Sequence, residues 1–349
     1  EEYIDVDSRR LPLEPAMANG EPISIAIDTR SGILSARVWK VAVGRSTLLL
    51  LDSNVEGNSP EDRELTSRLY GGDGRVRIRQ ELLLGVGGVR ALSAMGISPG
   101  VLHLNEGHSA FAGLEMVRHR MVTEGISAGE ALNQVAAQTV FTTHTPVPAG
   151  HDTFSQDLVD EHLGPLRESL GLSHDGLMAL GRVDASNTTE EFCMTVLALR
   201  TSHRANAVSS LHGQVSRAMW TSLHPGRGPG RVPIGHITNG IHVQTWLAPQ
   251  MRQVYARHLG HDWPGRAGDG RIWDAVQDFD DGELWETHQA LKFQLIGMAR
   301  RRAVRQAERR GDPPEVVARL GKALNFDALT IGFARRFATY KRANLILQD

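Results

Sequence analysis

At 349 residues, 41% hydrophobic and 22% charged, the chain is long enough for about two domains or one large α/β unit and is not a disordered polymer. Its 38 Lys plus Arg against 40 Asp plus Glu leave a net charge of −2, which argues against a dedicated nucleic-acid binder. The single cysteine, Cys193, excludes an internal disulfide framework, and no apolar run approaches the roughly 18 residues of a membrane span, so a cytoplasmic protein without a membrane partner is expected.

The first fifty residues read as β-rich. Ile23, Ile25 and Ile27 alternate with Ser24, Ala26 and Asp28, and apolar runs at 39–43 and 48–51 flank the turn signal Gly44–Arg45–Ser46. Residues 54–73 are polar and turn-rich and suit a surface loop. A helix is expected over 80–95, with Gly85, Gly87 and Gly88 marking close backbone packing. A short buried strand over 101–104 leads into a helix over 110–123, in which Phe111, Leu114, Val117 and Met121 share a face. A further helix over 129–138 precedes a β-branched strand over 139–143 and a loop to Gly150.

The middle of the chain reads as helical, with one helix running from Thr188 or Thr189 to Ala205 and a second over 206–222. A Gly/Pro loop over 225–233 and a short strand over 234–237 follow. The spacing Asp280–x–x–Glu283 predicts a capping box opening a long helix, with Leu284, His288, Leu291, Leu295 and Met298 on one face. The arginines from Arg300 to Arg310 at its far end read as a solvated face, since cations suit a helix C-terminus. An apolar strand over 329–333 and a helix over 340–347 read as the first βα unit of a new doubly wound domain.

Four short polar segments stand out against their apolar flanks: Asn105–His108, Thr142–Thr145, Thr238–His242, and Arg335–Arg336 with Tyr340–Arg342. The first three sit where strands end, the edge at which open α/β sheets bind ligands. Their amides, hydroxyls, imidazoles and one carboxylate suit a ligand with many hydroxyls better than a metal or a nucleophilic triad. Among the 15 histidines, His103, His108, His144 and His242 lack the His–Glu–x–x–His spacing, and no metal site is expected; Asn239–Gly240 alone could be a simple turn. Arg335, Arg336, Lys341 and Arg342 would crowd the positive pole of a helix, an arrangement that is costly unless an anion such as phosphate sits among them; an exposed basic turn is the bland alternative.

The segments His103–Leu–Asn–Glu–Gly–His–Ser–Ala–Phe, Phe141–Thr–Thr–His–Thr–Pro–Val–Pro–Ala–Gly–His, Ile237–Thr–Asn–Gly–Ile–His and Arg335–Arg–Phe–Ala–Thr–Tyr–Lys–Arg resemble, in order, those of the α-glucan (glycogen, starch and maltodextrin) phosphorylases. The likeness is to the short bacterial and archaeal branch, as are Tyr70–Gly–Gly–Asp and Arg77–Ile–Arg–Gln–Glu, and it covers the chain from about residue 45 onward. It implies a GT-B fold of two Rossmann-like domains: residues 1–326 as most of the N-terminal glucan-binding catalytic domain, and 327–349 as the start of a C-terminal cofactor domain. It also implies a glycosyltransferase that cleaves α-1,4-glucans with inorganic phosphate, releasing α-glucose 1-phosphate with retention, and that uses pyridoxal 5′-phosphate through the cofactor's phosphate.

Carried over by motif, His144 would contact the glucosyl unit and Asn239 its 6-hydroxyl. Arg336 and Lys341 would hold phosphate with Tyr340 between them, and Asn105, Glu106 and His108 would line the glucan path. Phe337–Ala338–Thr339 lacks the histidine and glutamate of longer animal members, as short members do. The chain opens at Glu1 and stops at Asp349 just after an apolar run, so it is expected to be an internal piece. On that expectation the cofactor's Schiff-base lysine lies beyond Asp349, no cofactor-binding residue lies within the chain, and the piece alone is inactive. A homo-oligomer is allowed. Two alternatives stay open: a nucleotide-sugar GT-B glycosyltransferase such as a glycogen synthase, and a non-catalytic glucan-binding protein.

Overall fold

The computed structural model describes residues 10–68, 72–335 and 341–348, in a mixed α/β arrangement with two compact units, Glu1–Asn239 and Gly240–Asp349. The first unit opens with an antiparallel meander: β1 (Ser24–Thr29), β2 (Gly32–Val43) and β3 (Ser46–Asp52). Ile25 faces Ala36 and Ile27 faces Leu34, all buried, as the alternation predicts. Val43 pairs with Ser46 across a two-residue turn in which Gly44 takes φ +60°, a conformation that suits glycine. The expected surface loop after β3 contains a short helix, Pro60–Arg63, in which Asp62 is buried and paired with Arg79 at 2.5 Å.

The expected helix over 80–95 starts six residues earlier. Asp73 caps α1 (Gly74–Leu82) by accepting the N–H groups of Arg75 and Val76 at 3.0 and 3.1 Å. A single π turn, Leu83–Gly87, joins it to α2 (Gly88–Ala94). The expected close packing is found at Gly85 and Gly87 but not at Gly88. A Cβ on Gly85 would lie 2.8 Å from the Ala112 nitrogen and 2.9 Å from Phe111 Cβ, whereas one on Gly88 would meet nothing within 4 Å. Gly85→Val should therefore cost about 2–3 kcal/mol by overpacking, while Gly88→Ala should gain roughly 0.5–1 kcal/mol from helix propensity. Thermal unfolding of the two variants checks the contrast; equal midpoints would contradict it.

Next come β4 (Leu102–Asn105), α3 (Phe111–Glu124), α4 (Ala128–Gln138) and β5 (Thr139–Thr143), close to the expected spans. Helices α5 (Gln156–Ser169) and α6 (His174–Gly181) follow. His162 of α5 is fully buried, with no hydrogen-bond partner on either ring nitrogen among the described residues, and burial pushes it down to about 4. The folded state thus takes up this proton later than the unfolded chain. The stability His162 supports is complete above about pH 6.5 and is lost as pH falls toward 4, by up to about 3 kcal/mol. His162→Leu should flatten this acid limb in unfolding midpoints measured between pH 4 and 7.5; an unchanged limb would refute the assignment.

The stretch read as two helices meeting at 205/206 is different. Phe192–Cys193 pairs antiparallel with Thr153–Phe154, α7 spans only Met194–Arg200, and Arg204–Ala207 is a strand, β6. Then come α8 (Ser210–Met219) and β7 (Ile234–His236). Strands β4, β5, β6 and β7 form one parallel sheet in chain order, with Asn105, Thr142, Asn206 and Gly235 in register. One face is dry, with Leu104, Phe141, Ala207 and Ile234 buried; the other carries the exposed His103, Asn105 and Arg204.

The second unit packs α9 (Pro249–Leu259) around buried Val254, Trp263, Ile272 and Phe279, with Tyr255 edge-on to Trp263 and Trp273. Helix α10 (Asp281–Arg310) starts with Asp280 accepting the Glu283 N–H at 2.7 Å. The Glu283 carboxylate does not reach back; it bonds Arg257 and His258 instead. The predicted apolar face is also corrected: Leu295 and Met298 are half exposed, and the buried positions are Ile296 and Ala307. Of the arginine run, Arg300 donates to the carbonyls of Ala323 and Leu324, both at 2.6 Å, and lies over Phe326.

The expected strand over 329–333 is irregular and exposed, and the expected helix over 340–347 is a 3-10 turn, Ala343–Leu347. An apolar run becomes a strand only where neighbours take its hydrogen bonds, and no strand among the described residues pairs with this one. Among the described residues no helix is long and apolar enough to cross a membrane.

Candidate functional site

All four parallel strands end at one edge of the sheet, and three of the four polar segments begin there. Asn105 closes β4, His144 follows β5, and Asn239 follows β7, its N–H donating to Val208 at 3.1 Å. With β6 between their strands, His144 and Asn239 emerge two strand spacings apart, about 10 Å. Directly below, a hydrogen-bonded row crosses the polar face: His103 Nε2 to Thr142 Oγ1 at 2.8 Å, and Thr142 Oγ1 to Asn206 Oδ1 at 3.0 Å. Asn206 belongs to the strand misread as helix, so this member of the row was not foreseen.

The side chains are fixed by one another. His144 Nε2 donates to Asn105 Oδ1 at 2.7 Å, so Nδ1 is the ring nitrogen that Asn105 does not engage. Glu106 is buried at φ +68°, ψ 174°. Its carboxylate accepts the His144 N–H, the Thr145 hydroxyl at 3.0 Å and the Gly107 N–H at 3.3 Å. Glu106 is thus spent inside the fold, as a brace between the ends of β4 and β5.

His108 sits in a 3-10 turn (Gly107–Ser109) against α1 and the loop after Gly150. Its Nδ1 lies 2.6 Å from Arg77 Nη2, 3.0 Å from Asp152 Oδ2 and 3.2 Å from Glu81 Oε1. Arg77 also pairs with both carboxylates, at 3.2 Å to Glu81 and 3.1 Å to Asp152. Asp152 and Glu81 together raise His108 to about 9. Burial pushes Glu81, which is 1% exposed, up to about 7. For Asp152, hydrogen bonds from His108, Glu81 and Arg77 outweigh burial and hold it well below the usual carboxylate range. Ligand atoms of Glu81, His108 and Asp152 lie within 4.8 Å of one another, and each lies within 3.2 Å of an Arg77 nitrogen, a cation already paired with the cluster.

Of the fourth segment, Arg335, Lys341 and Arg342 are described, all in the second unit. Arg336 and Tyr340 lie outside the described residues, as do Tyr70 and Gly71 of the Tyr–Gly–Gly–Asp motif. Lys341 is half-buried just before the Ala343–Leu347 turn, and Arg335 is exposed. The long helix whose N-terminus was to cradle an anion is absent among the described residues. His242, in the second unit, is held by Thr245 Oγ1 at 2.6 Å. Arg77, Glu81 and Asp152 are not among the site residues expected from sequence; Arg77 and Glu81 enter there only in the Arg77–Ile–Arg–Gln–Glu likeness.

Comparison with known proteins finds relatives along the whole chain. The chain is 41% identical over 353 residues to a maltodextrin phosphorylase of Thermococcus litoralis, covering all of this chain and 41% of that protein. It is 40% identical over 362 residues to a glycogen phosphorylase of Mycobacterium tuberculosis, again covering all of this chain and 41% of the relative. Along its whole length the chain is homologous to α-glucan phosphorylases. A glycogen phosphorylase of Aquifex aeolicus is 35% identical over 312 residues, 89% of this chain and 44% of that protein. No family model matches the chain. The chain spans about two fifths of the length of the curated relatives it matches, and its likeness to these phosphorylases includes short bacterial and archaeal members.

Proposed function

We propose that this chain is the glucan-binding part of an α-glucan phosphorylase of GT-B architecture, and that the whole protein releases α-glucose 1-phosphate from α-1,4-glucans and inorganic phosphate. The observation that carries this reading is identity of 40–41% along the entire chain to proteins named as such phosphorylases. The strand-end geometry supports it. A sugar hydroxyl both donates and accepts, and Asn105 and His144 present an amide and an imidazole side by side.

In this reading His144 and Asn239 bind the terminal glucosyl unit, Asn105 and His108 line the path of the next, and Glu106 keeps His144 in place. Cleavage develops positive charge at the anomeric carbon, so a phosphate held beneath it by Arg336 and Lys341, with Tyr340 between them, is both stabiliser and nucleophile. Neutral His144 and Asn239 hold the sugar without adding charge.

Pyridoxal 5′-phosphate is the cofactor the homology suggests. The strand-end cluster does not fit it: it holds no lysine for the aldehyde, and buried Glu106 would repel the phosphate. We therefore place the cofactor on residues outside this cluster and derive no step through it.

The test is glucose 1-phosphate release from maltodextrin and phosphate by the whole protein. Release supports the reading. No release, with transfer from a nucleotide sugar instead, would favour a synthase.

A further inference from the structure

We infer that Arg77, Glu81 and Asp152 are positioning residues that hold the His108 imidazole with a hydrogen on Nε2 across the neutral pH range, making that atom a fixed donor to a glucan hydroxyl. The inference rests on the proposed glucan path and adds to it the chemistry of one contact. Every hydrogen bond of the His108 ring among the described residues is made at Nδ1. The ring is about one-third exposed, so Nε2 is the nitrogen left for a ligand.

Two arrangements satisfy the three partners around Nδ1. In one, His108 is an imidazolium, Nδ1–H points at the Asp152 and Glu81 carboxylates, and Arg77 turns its N–H groups to those same carboxylates. In the other, the proton sits on Glu81, and the lone pair of Nδ1 accepts from Arg77 or from the Glu81 acid. The two differ only by one proton moved across the 3.2 Å between Glu81 Oε1 and His108 Nδ1, with no change in net charge. Both carry a hydrogen on Nε2. A bare Nε2 arises only when the imidazolium loses that proton, which the two carboxylates postpone to about pH 9.

The charged groups facing the ring are accounted for. Arg77 and Glu81 come from α1, and Asp152 from the loop. His151, next to Asp152, has its own nitrogens turned to Thr195 Oγ1 and Met219 Sδ. The Glu106 carboxylate is engaged by His144, Thr145 and Gly107. An unclamped histidine would switch between donor and acceptor near pH 6.5.

The test reads ring nitrogens directly, by proton–nitrogen correlation spectra of the chain, with His108 assigned from its loss in His108→Gln. We expect a protonated Nε2 from pH 6 to 8.5. In Glu81→Gln and Asp152→Asn, Nε2 should begin to lose its proton at least one pH unit earlier. In the whole protein the KM for maltodextrin should be flat over that range. His108→Ala should raise it about tenfold, with His108→Gln, which keeps a donor, nearer to wild type. A bare Nε2 at pH 7 in the wild type overturns the inference, and that measurement needs no variant to fold. So does an unchanged titration in both carboxylate variants, or an unchanged KM in His108→Ala. If the whole protein releases no glucose 1-phosphate, the phosphorylase reading falls, whereas the nitrogen signals still decide the clamp.

Discussion

Glu106→Ala is expected to destabilise the first unit by about 3–5 kcal/mol, a large part of the roughly 5–15 kcal/mol that holds a domain folded. The side chain accepts three hydrogen bonds from within the fold. Bonds to a charged acceptor contribute about 1.5–3 kcal/mol each, and losing the acceptor leaves buried donors unpaired. The backbone adds a separate effect. At φ +68° and ψ 174° the residue occupies a region that costs a side chain on the order of 1–3 kcal/mol and glycine almost nothing. Glu106→Gly should therefore be less damaging than Glu106→Ala, by about 1 kcal/mol or more. Denaturant unfolding of the two variants measures both effects, and an alanine variant as stable as wild type would refute the brace. In the whole protein, the freed His144 backbone should also weaken maltodextrin binding.

The second large effect concerns the phosphate. If the whole protein has the proposed activity, Arg336→Ala or Lys341→Ala should lower phosphorolysis by about a thousandfold or more, since each removes a cation from the proposed phosphate site. Glucan binding, which the proposed function places on the strand-end cluster, should change little by comparison. Initial rates of glucose 1-phosphate release, measured beside maltodextrin binding, separate the two. Either variant at full activity would remove the proposed phosphate contact.

The strand ends were legible because local signals agreed there. Thr139–Thr143 is β-branched and bounded by a helix and a loop, and Ile23, Ile25 and Ile27 alternate with polar residues, so propensity and burial point the same way. The contacts at Gly85 and Gly87 fit the same pattern, since glycines in a helical run point to a close neighbour, whereas Gly88 faces open space. Arg204–Ala207 was misread because Arg-Ala-Asn-Ala carries helix formers and no β-branched residue. Its strand is made by the backbones of β5 and β7 on either side, which local sequence does not contain. Likewise, the apolar residues at 329–333 fit a strand, but a strand is a pairing.

The site divides along the same line. Sequence alone determined that polar segments end apolar strands, that Asn105, His144 and Asn239 emerge at one sheet edge, and that the chain resembles the phosphorylases, because motif identity and order are written in the chain. Tertiary structure alone decided which groups face a ligand and which face one another. Glu106 read as a ligand contact, yet it is turned inward by an unusual backbone angle and three internal donors. His108 became a clamped ring only when Asp152, 44 residues away in sequence, came within 3.0 Å of its Nδ1. Hydrogen bonds and ion pairs act over a few ångströms in space, and separation along the chain carries no trace of them until the fold brings their atoms together.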